Sequence, residues 1–122
     1  MRVVREDEMV FITGGAYAGK TAFAEKMFPG AEVKAGYHRV VREQMEKGLD
    51  PLSEVRKLMD DAAGSDDGKQ FVITSDEIGC GIVPMDAFER EYREMNGRVS
   101  CCLAEKAEQV YRVVCGVGTR IR

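Results

Sequence analysis

Two groups of residues in this chain have the types and spacing needed to handle phosphate. The first is Gly14-Gly15-Ala16-Tyr17-Ala18-Gly19-Lys20-Thr21, which fits Gly-x-x-x-x-Gly-Lys-[Ser/Thr] in full. In such a loop the glycines let the backbone turn tightly and aim successive N–H groups inward. The helix that follows adds positive potential at its N-terminus. Lys20 is a point charge able to reach the β- and γ-phosphates of a nucleotide, and the Thr21 hydroxyl is a ligand for Mg²⁺. The second group is Asp76-Glu77, two carboxylates directly after the apolar run Gln70–Ser75. A strand that ends in acids can deliver a Mg²⁺ ligand or a general base beside a phosphate loop. The simpler readings are a glycine-containing turn that binds nothing and an acid that caps a turn. The complete motif, and the carboxyl end of a strand as the usual ligand side of an open α/β sheet, favour the functional ones.

The elements that must position these residues follow from the hydrophobic pattern. Met9–Thr13 is apolar on both faces, as a central parallel strand is. The helix after the loop runs to about Phe28, where Pro29-Gly30 stops it. A weak strand is expected at 31–35. Two helices follow, at 38–47 and from Pro51 onward, with apolar residues three and four apart. Residues 64–68 form a loop and, with Asp60 and Asp61, bring four aspartates close together; we read them as a solvated acidic turn rather than a cation site. A third strand spans 70–75. The longest helix begins after Pro84 and carries Phe88, Tyr92, Met95, Val99 and Cys102 as a stripe facing the sheet, with a bend or break expected at Asn96-Gly97. A strand at 109–115 follows, then a turn at 116–118 and a short last strand at 119–122. Cys102 and Cys115 both read as core residues. Strands alternating with helices predict an α/β phosphate-loop fold: three layers around a mostly parallel sheet, with residues 1–122 as a single nucleotide-binding domain.

Composition narrows the class of partner. The chain has 122 residues, a net charge of -3 and 32% charged residues. That balance lacks the basic footprint of a nucleic-acid binder. No apolar run approaches the roughly 18 residues of a membrane span, and residues 1–8 lack the long apolar segment of a signal peptide, so a cytoplasmic location is expected. The four cysteines form no Cys-x-x-Cys pair and the single histidine, His38, is distant from them in sequence. Reduced thiols are therefore expected rather than a zinc site.

The second half of the chain carries a resemblance. Thr74-Ser-Asp-Glu-Ile-Gly-Cys-Gly-Ile-Val-Pro84 resembles the Thr-Asn-Glu-Val-Gly-x-Gly-Ile-Val-Pro signature of bifunctional adenosylcobinamide kinase / adenosylcobinamide-phosphate guanylyltransferases. Asn96–Val99 and Val110–Gly118 are similar to that family's long helix and closing Val-x-Gly-Ile-Gly. The loop Gly14–Thr21 is similar to the family's Gly-Gly-Ala-Arg-Ser-Gly-Lys-Ser. The likeness takes in the first thirty-odd residues and everything from about 70 onward.

The resemblance implies a step in cobalamin assembly, with ATP or GTP and adenosylcobinamide as substrates, Mg²⁺ as cofactor and a homo-oligomer as the assembly. In it, Gly14 to Thr21 hold the phosphates, Lys20 stabilises the transferring group, and Thr21 with Glu77 or Asp76 holds Mg²⁺ while the other acid orients the substrate hydroxyl. Lys34-Ala35-Gly36 is implied to lie near the nucleotide. The chain departs from the family in two places. A strand bearing a family acid, with its helix, is missing between about Ala63 and residue 70. The family's guanylyl-accepting histidine also has no counterpart before Lys47-Gly48. His38 is then either a relocated nucleophile that attacks the α-phosphate of GTP to form a phosphoramidate or a residue of the first helical turn, and the latter is the favoured expectation. Two alternatives stay open: a nucleotide- or corrinoid-binding paralogue without catalysis, and a kinase for another small hydroxyl substrate.

Overall fold

The computed structural model describes residues 9–63, 70–78 and 86–122. The expectations for residues 1–8, for the acidic loop at 64–68, for Cys80 and for the signature residues 79–84 lie outside the described residues. The elements run β1 (Met9–Gly14), α1 (Lys20–Met27), β2 (Glu32–Lys34), α2 (Tyr37–Glu46), α3 (Pro51–Ala63), β3 (Phe71–Asp76), α4 (Ala87–Lys106), β4 (Gln109–Val114) and β5 (Val117–Arg120). The sheet order is β2-β3-β1-β4-β5. The first four strands are parallel, and β5 pairs antiparallel with β4.

β1 lies at the centre because it is apolar on both faces. Val10 and Ile12 face one core with Val72, Tyr111, Val113 and, from α1, Ala24. Met9 and Phe11 face the other with Phe71, Ile73 and residues of α2, α3 and α4. Alternate side chains of a strand point to opposite faces, so one central strand seeds both layers. The result is a three-layer α/β fold with α1 on one side and α2–α4 on the other.

Local chemistry sets the helix starts. Asp50 accepts from the Leu52 N–H (3.2 Å) and from the Ser53 hydroxyl (2.9 Å), and Pro51 takes the first helical position of α3. The Asp86 carboxylate caps α4 by accepting from the Glu89 N–H at 3.2 Å. By contrast, α1 and α2 start from left-handed glycines, Gly19 and Gly36, without a side-chain cap. At the start of α1 this leaves the first N–H groups for the cavity described below.

Three expectations are corrected. α4 continues through Asn96-Gly97 without a break. Asn96 is buried and its side-chain amide is held by the carbonyl of Asp76 (3.3 Å), which ties this turn to the sheet and outweighs the poor helix propensity of the next residue. The last strand starts at Val117, because the chain reverses at Cys115-Gly116, both with positive φ (50° and 78°). That places Cys115 at the tip of a two-residue hairpin turn, exposed rather than in the core. Cys102 does pack against the core, as expected.

Candidate phosphate-binding site

The loop after β1 is set by one close approach. A side chain at Gly14 would put its Cβ 2.5 Å from the carbonyl oxygen of Val113 on the neighbouring strand, so only glycine lets β1 and β4 run together here. The chain then turns through Ala18, whose N–H donates to the Gly15 carbonyl (3.3 Å), and enters α1 at Lys20. From the far side, the hairpin between β4 and β5 pins the loop: the Gly116 N–H donates to the Ala18 carbonyl at 2.7 Å. Lys20 is nearly buried. Its ammonium donates to the Gly15 carbonyl (2.7 Å) and meets Asp76 Oδ1 at 2.7 Å.

Asp76 reaches that point because β3 runs parallel beside β1 in the register Gly14↔Asp76. The Glu77 N–H closes the junction by donating to the Gly14 carbonyl (2.8 Å). His38, in the first turn of α2, flanks Asp76 on its other side. The imidazole Nδ1 accepts from the Asp76 backbone N–H (3.1 Å), and Nε2 lies 3.4 Å from Asp76 Oδ2. An acceptor Nδ1 assigns the proton of the neutral ring to Nε2, facing the carboxylate. Burial lowers the His38 pKa below its usual 6.5; Asp76 opposes this, while Arg39 and Lys20 add to it. The ring is therefore neutral near pH 7.

Behind these groups stand residues of other elements. The Tyr92 hydroxyl donates to the His38 carbonyl (2.9 Å), and Asn96 holds the Asp76 carbonyl. Thr74 Oγ1 accepts from the Gly36 N–H (3.2 Å), fixing the start of α2 against β3. Lys20, Asp76, His38 and Thr74 line an open cleft of about 480 Å³.

Most of the sequence-expected residues meet there. Ala16 to Thr21 line the cavity, with Ala35, Gly36, His38 and Asp76. Gly14 and Gly15 form the base of the loop. Lys34, at the end of β2, does not line the cavity. Neither does Glu77, expected beside Thr21 as a Mg²⁺ ligand. Its carboxylate is turned toward β4 and accepts from Arg112 Nε (3.0 Å) and a second guanidinium nitrogen (3.1 Å). Consecutive residues leaving a strand point to opposite sides, so one of the two acids can enter the cavity and that one is Asp76.

Sequence reasoning missed Arg39 and Thr74 on the cavity wall, and Tyr92 and Asn96 behind it. For Arg39 a signal existed: a glycine that ends a strand and opens a helix with two basic residues in its first turn, at the carboxyl edge of the sheet. Thr74 and Asn96 carried none, since both lie within patterns that read as core.

The oxygen donors suit a hard cation. Thr21 and Asp76 share the cavity, and Mg²⁺ typically takes one or two protein oxygens together with substrate phosphates and water. Among the described residues no three His, Cys, Asp or Glu side chains gather as a metal cage. The site thus fits a cation that arrives with a nucleotide.

A mostly parallel α/β sheet, a complete Gly-Lys-Thr loop between its central strand and first helix, and a strand-end aspartate on the loop lysine define a phosphate-loop nucleotide-binding fold. Within that class the chain belongs to the cobinamide kinase / cobinamide phosphate guanyltransferase family, which it matches over residues 38–121. The match starts in the first turn of α2, past the phosphate loop, α1 and β2, and takes in residues 38–69, most of which lie outside the likeness drawn from motifs. Over 53 residues the chain is 40% identical to the bifunctional adenosylcobalamin biosynthesis protein CobU of Salmonella typhimurium (strain LT2), a stretch covering 43% of this chain and 29% of that protein. The same figures hold for the protein of that name from Escherichia coli (strain K12). The chain thus spans less than a third of the length of these relatives in the matched region. Among the described residues no helix is long and apolar enough to cross a membrane.

Proposed function

We propose that this protein transfers the γ-phosphoryl group of ATP or GTP to the aminopropanol hydroxyl of adenosylcobinamide, as a kinase of cobalamin biosynthesis. The observation that carries the reading is the Lys20–Asp76 contact at the head of the cavity, which joins a phosphate cation to the carboxylate of the neighbouring strand. On nucleotide entry the Lys20 ammonium exchanges its bond to the Gly15 carbonyl for phosphate oxygens. Loop N–H groups and the start of α1 hold the remaining phosphate charge. The acceptor hydroxyl oxygen attacks the γ-phosphorus, the bond to the β-bridging oxygen breaks, and the nucleoside diphosphate leaves. Asp76 orients that hydroxyl and takes its proton. The Thr21 hydroxyl would hold Mg²⁺ together with the nucleotide phosphates, and the ion would supply charge neutralisation on the phosphate oxygens.

His38 serves this reaction by holding Asp76. Its Nδ1 lone pair is engaged by the Asp76 N–H and its Nε2 proton faces the carboxylate, so neither nitrogen offers a lone pair to an α-phosphate. We therefore assign it to positioning and not to carrying a guanylyl group. We place the protein in the cytoplasm, where nucleotides and reduced thiols occur; Cys101, Cys102 and Cys115 are free thiols. Self-association is in keeping with β2 and β5 as the outer strands of the sheet among the described residues, and with the exposed Val114, Val117 and Ile121.

Separate incubations with α- and γ-³²P-GTP, Mg²⁺ and adenosylcobinamide test this. The expected result is γ-label on the corrinoid, none after Lys20→Ala, and no α-label on the protein. Acid-labile α-label on the protein that disappears in His38→Ala would restore the histidine as guanylyl acceptor. Nucleotide bound with no label transferred would leave a binding protein without catalysis.

A further inference from the structure

The cavity holds a basic side chain to which the reaction above gives no work. We propose that Arg39 is a second phosphate-binding cation, gripping the terminal phosphoryl group of a nucleoside triphosphate from the α2 side. The proposal rests on the nucleotide reading of the cavity and goes beyond it in naming the residue that distinguishes triphosphate from diphosphate.

Arg39 lines the same cavity as Lys20, Thr21 and Asp76, from the first turn of α2. The Lys20 charge is already met by Asp76 at 2.7 Å, so the lysine alone leaves most of a triphosphate's charge uncompensated. Arg39 is exposed and makes no ion pair with any carboxylate among the described residues. Its guanidinium lies down on Gly36, where the Cβ of any other residue would collide with it. Gly36 is left-handed (φ 68°), a conformation that favours glycine, and its N–H is fixed by Thr74, which keeps that seat bare. His38, the neighbour of Arg39 in the first turn of α2, lies on Asp76, so the turn that carries the guanidinium stands at the end of the cavity where Lys20 meets Asp76, the end at which a phosphate loop's lysine reaches the terminal phosphates. A planar guanidinium fork matches two phosphoryl oxygens at once, which a lysine at the same place does not.

The test is a displacement titration that needs no acceptor substrate. Native protein, Arg39→Ala and Arg39→Lys are titrated with the β,γ-imido analogues of ATP and GTP, and with ADP and GDP, against a fluorescent nucleotide. Arg39→Ala is expected to lose about 10- to 100-fold in triphosphate affinity, the usual range for a lost charged hydrogen bond. Diphosphate affinity should change by less than about threefold, since its phosphates stay on the loop and Lys20. Arg39→Lys should fall between. Equal losses for both ligands, or none, would overturn the proposal. A native protein that binds neither nucleotide would instead sink the phosphate reading of the cavity, a failure visible before any variant is made. Because Arg39 is exposed, its removal leaves the core untouched, and matching thermal melts would verify that.

Discussion

Burial and a carboxylate compete for the proton of His38, and burial wins. The consequence for stability follows from linkage. A histidine whose folded pKa lies below its unfolded value of 6.5 binds fewer protons in the fold than in the unfolded chain between those two values. Stability therefore rises with pH through that window, is flat above it, and falls as the medium is acidified below 6.5. Since His38 is the chain's single histidine, its ring signals can be followed by NMR without assignment. The expected titration midpoint lies below 6.5 with the neutral proton on Nε2, and His38→Gln should flatten the acid limb of the stability profile. A midpoint above 6.5 would mean that the Asp76 charge dominates and that the ring is charged near neutrality. The sequence showed this residue and its helical turn. It could not show that the turn stands at the end of β3, because that depends on which strand β2 pairs with. Arg39 was hidden for the same reason.

The elements themselves were legible where the pattern was strong. β1, the loop and α1 followed from an apolar run, a complete motif and Pro29-Gly30. The places where reading failed are those where tertiary contacts outvote local propensity. Gly97 weakened the expectation of a continuous α4, yet the buried Asn96 anchors that turn to Asp76 and the helix passes through. Gly97 itself is exposed, and a methyl group there would meet nothing within 4 Å. Gly97→Ala should therefore stabilise the protein by about 0.5–1 kcal/mol, read as a higher urea midpoint at unchanged slope. A lower midpoint would indicate that α4 needs the glycine at this turn. The choice between Asp76 and Glu77 was likewise closed to the sequence. Two adjacent acids look alike in one dimension, and only the strand's alternation, with Arg112 waiting on β4, separates them.

Across the whole molecule, two cores on either side of β1 hold the loop, the strand-end acid and the first turn of α2 at one edge of the sheet. The cavity is lined by the loop and α1, by Ala35 and Gly36 with the first turn of α2, and by Thr74 and Asp76 of β3. The hairpin of β4 and β5 braces the loop from outside through Gly116. The family match from residue 38 onward covers α2 to β5 but not β1, the loop, α1 or β2, so the loop's assignment stands on its own motif and geometry. Calorimetric titration of native protein and Lys20→Ala with Mg²⁺ and ATP or GTP therefore tests the account most directly. The account predicts saturable one-site binding to the native chain, weakened by at least about 100-fold when the lysine is removed. Native-like binding by Lys20→Ala, or no binding by the native chain, would contradict it.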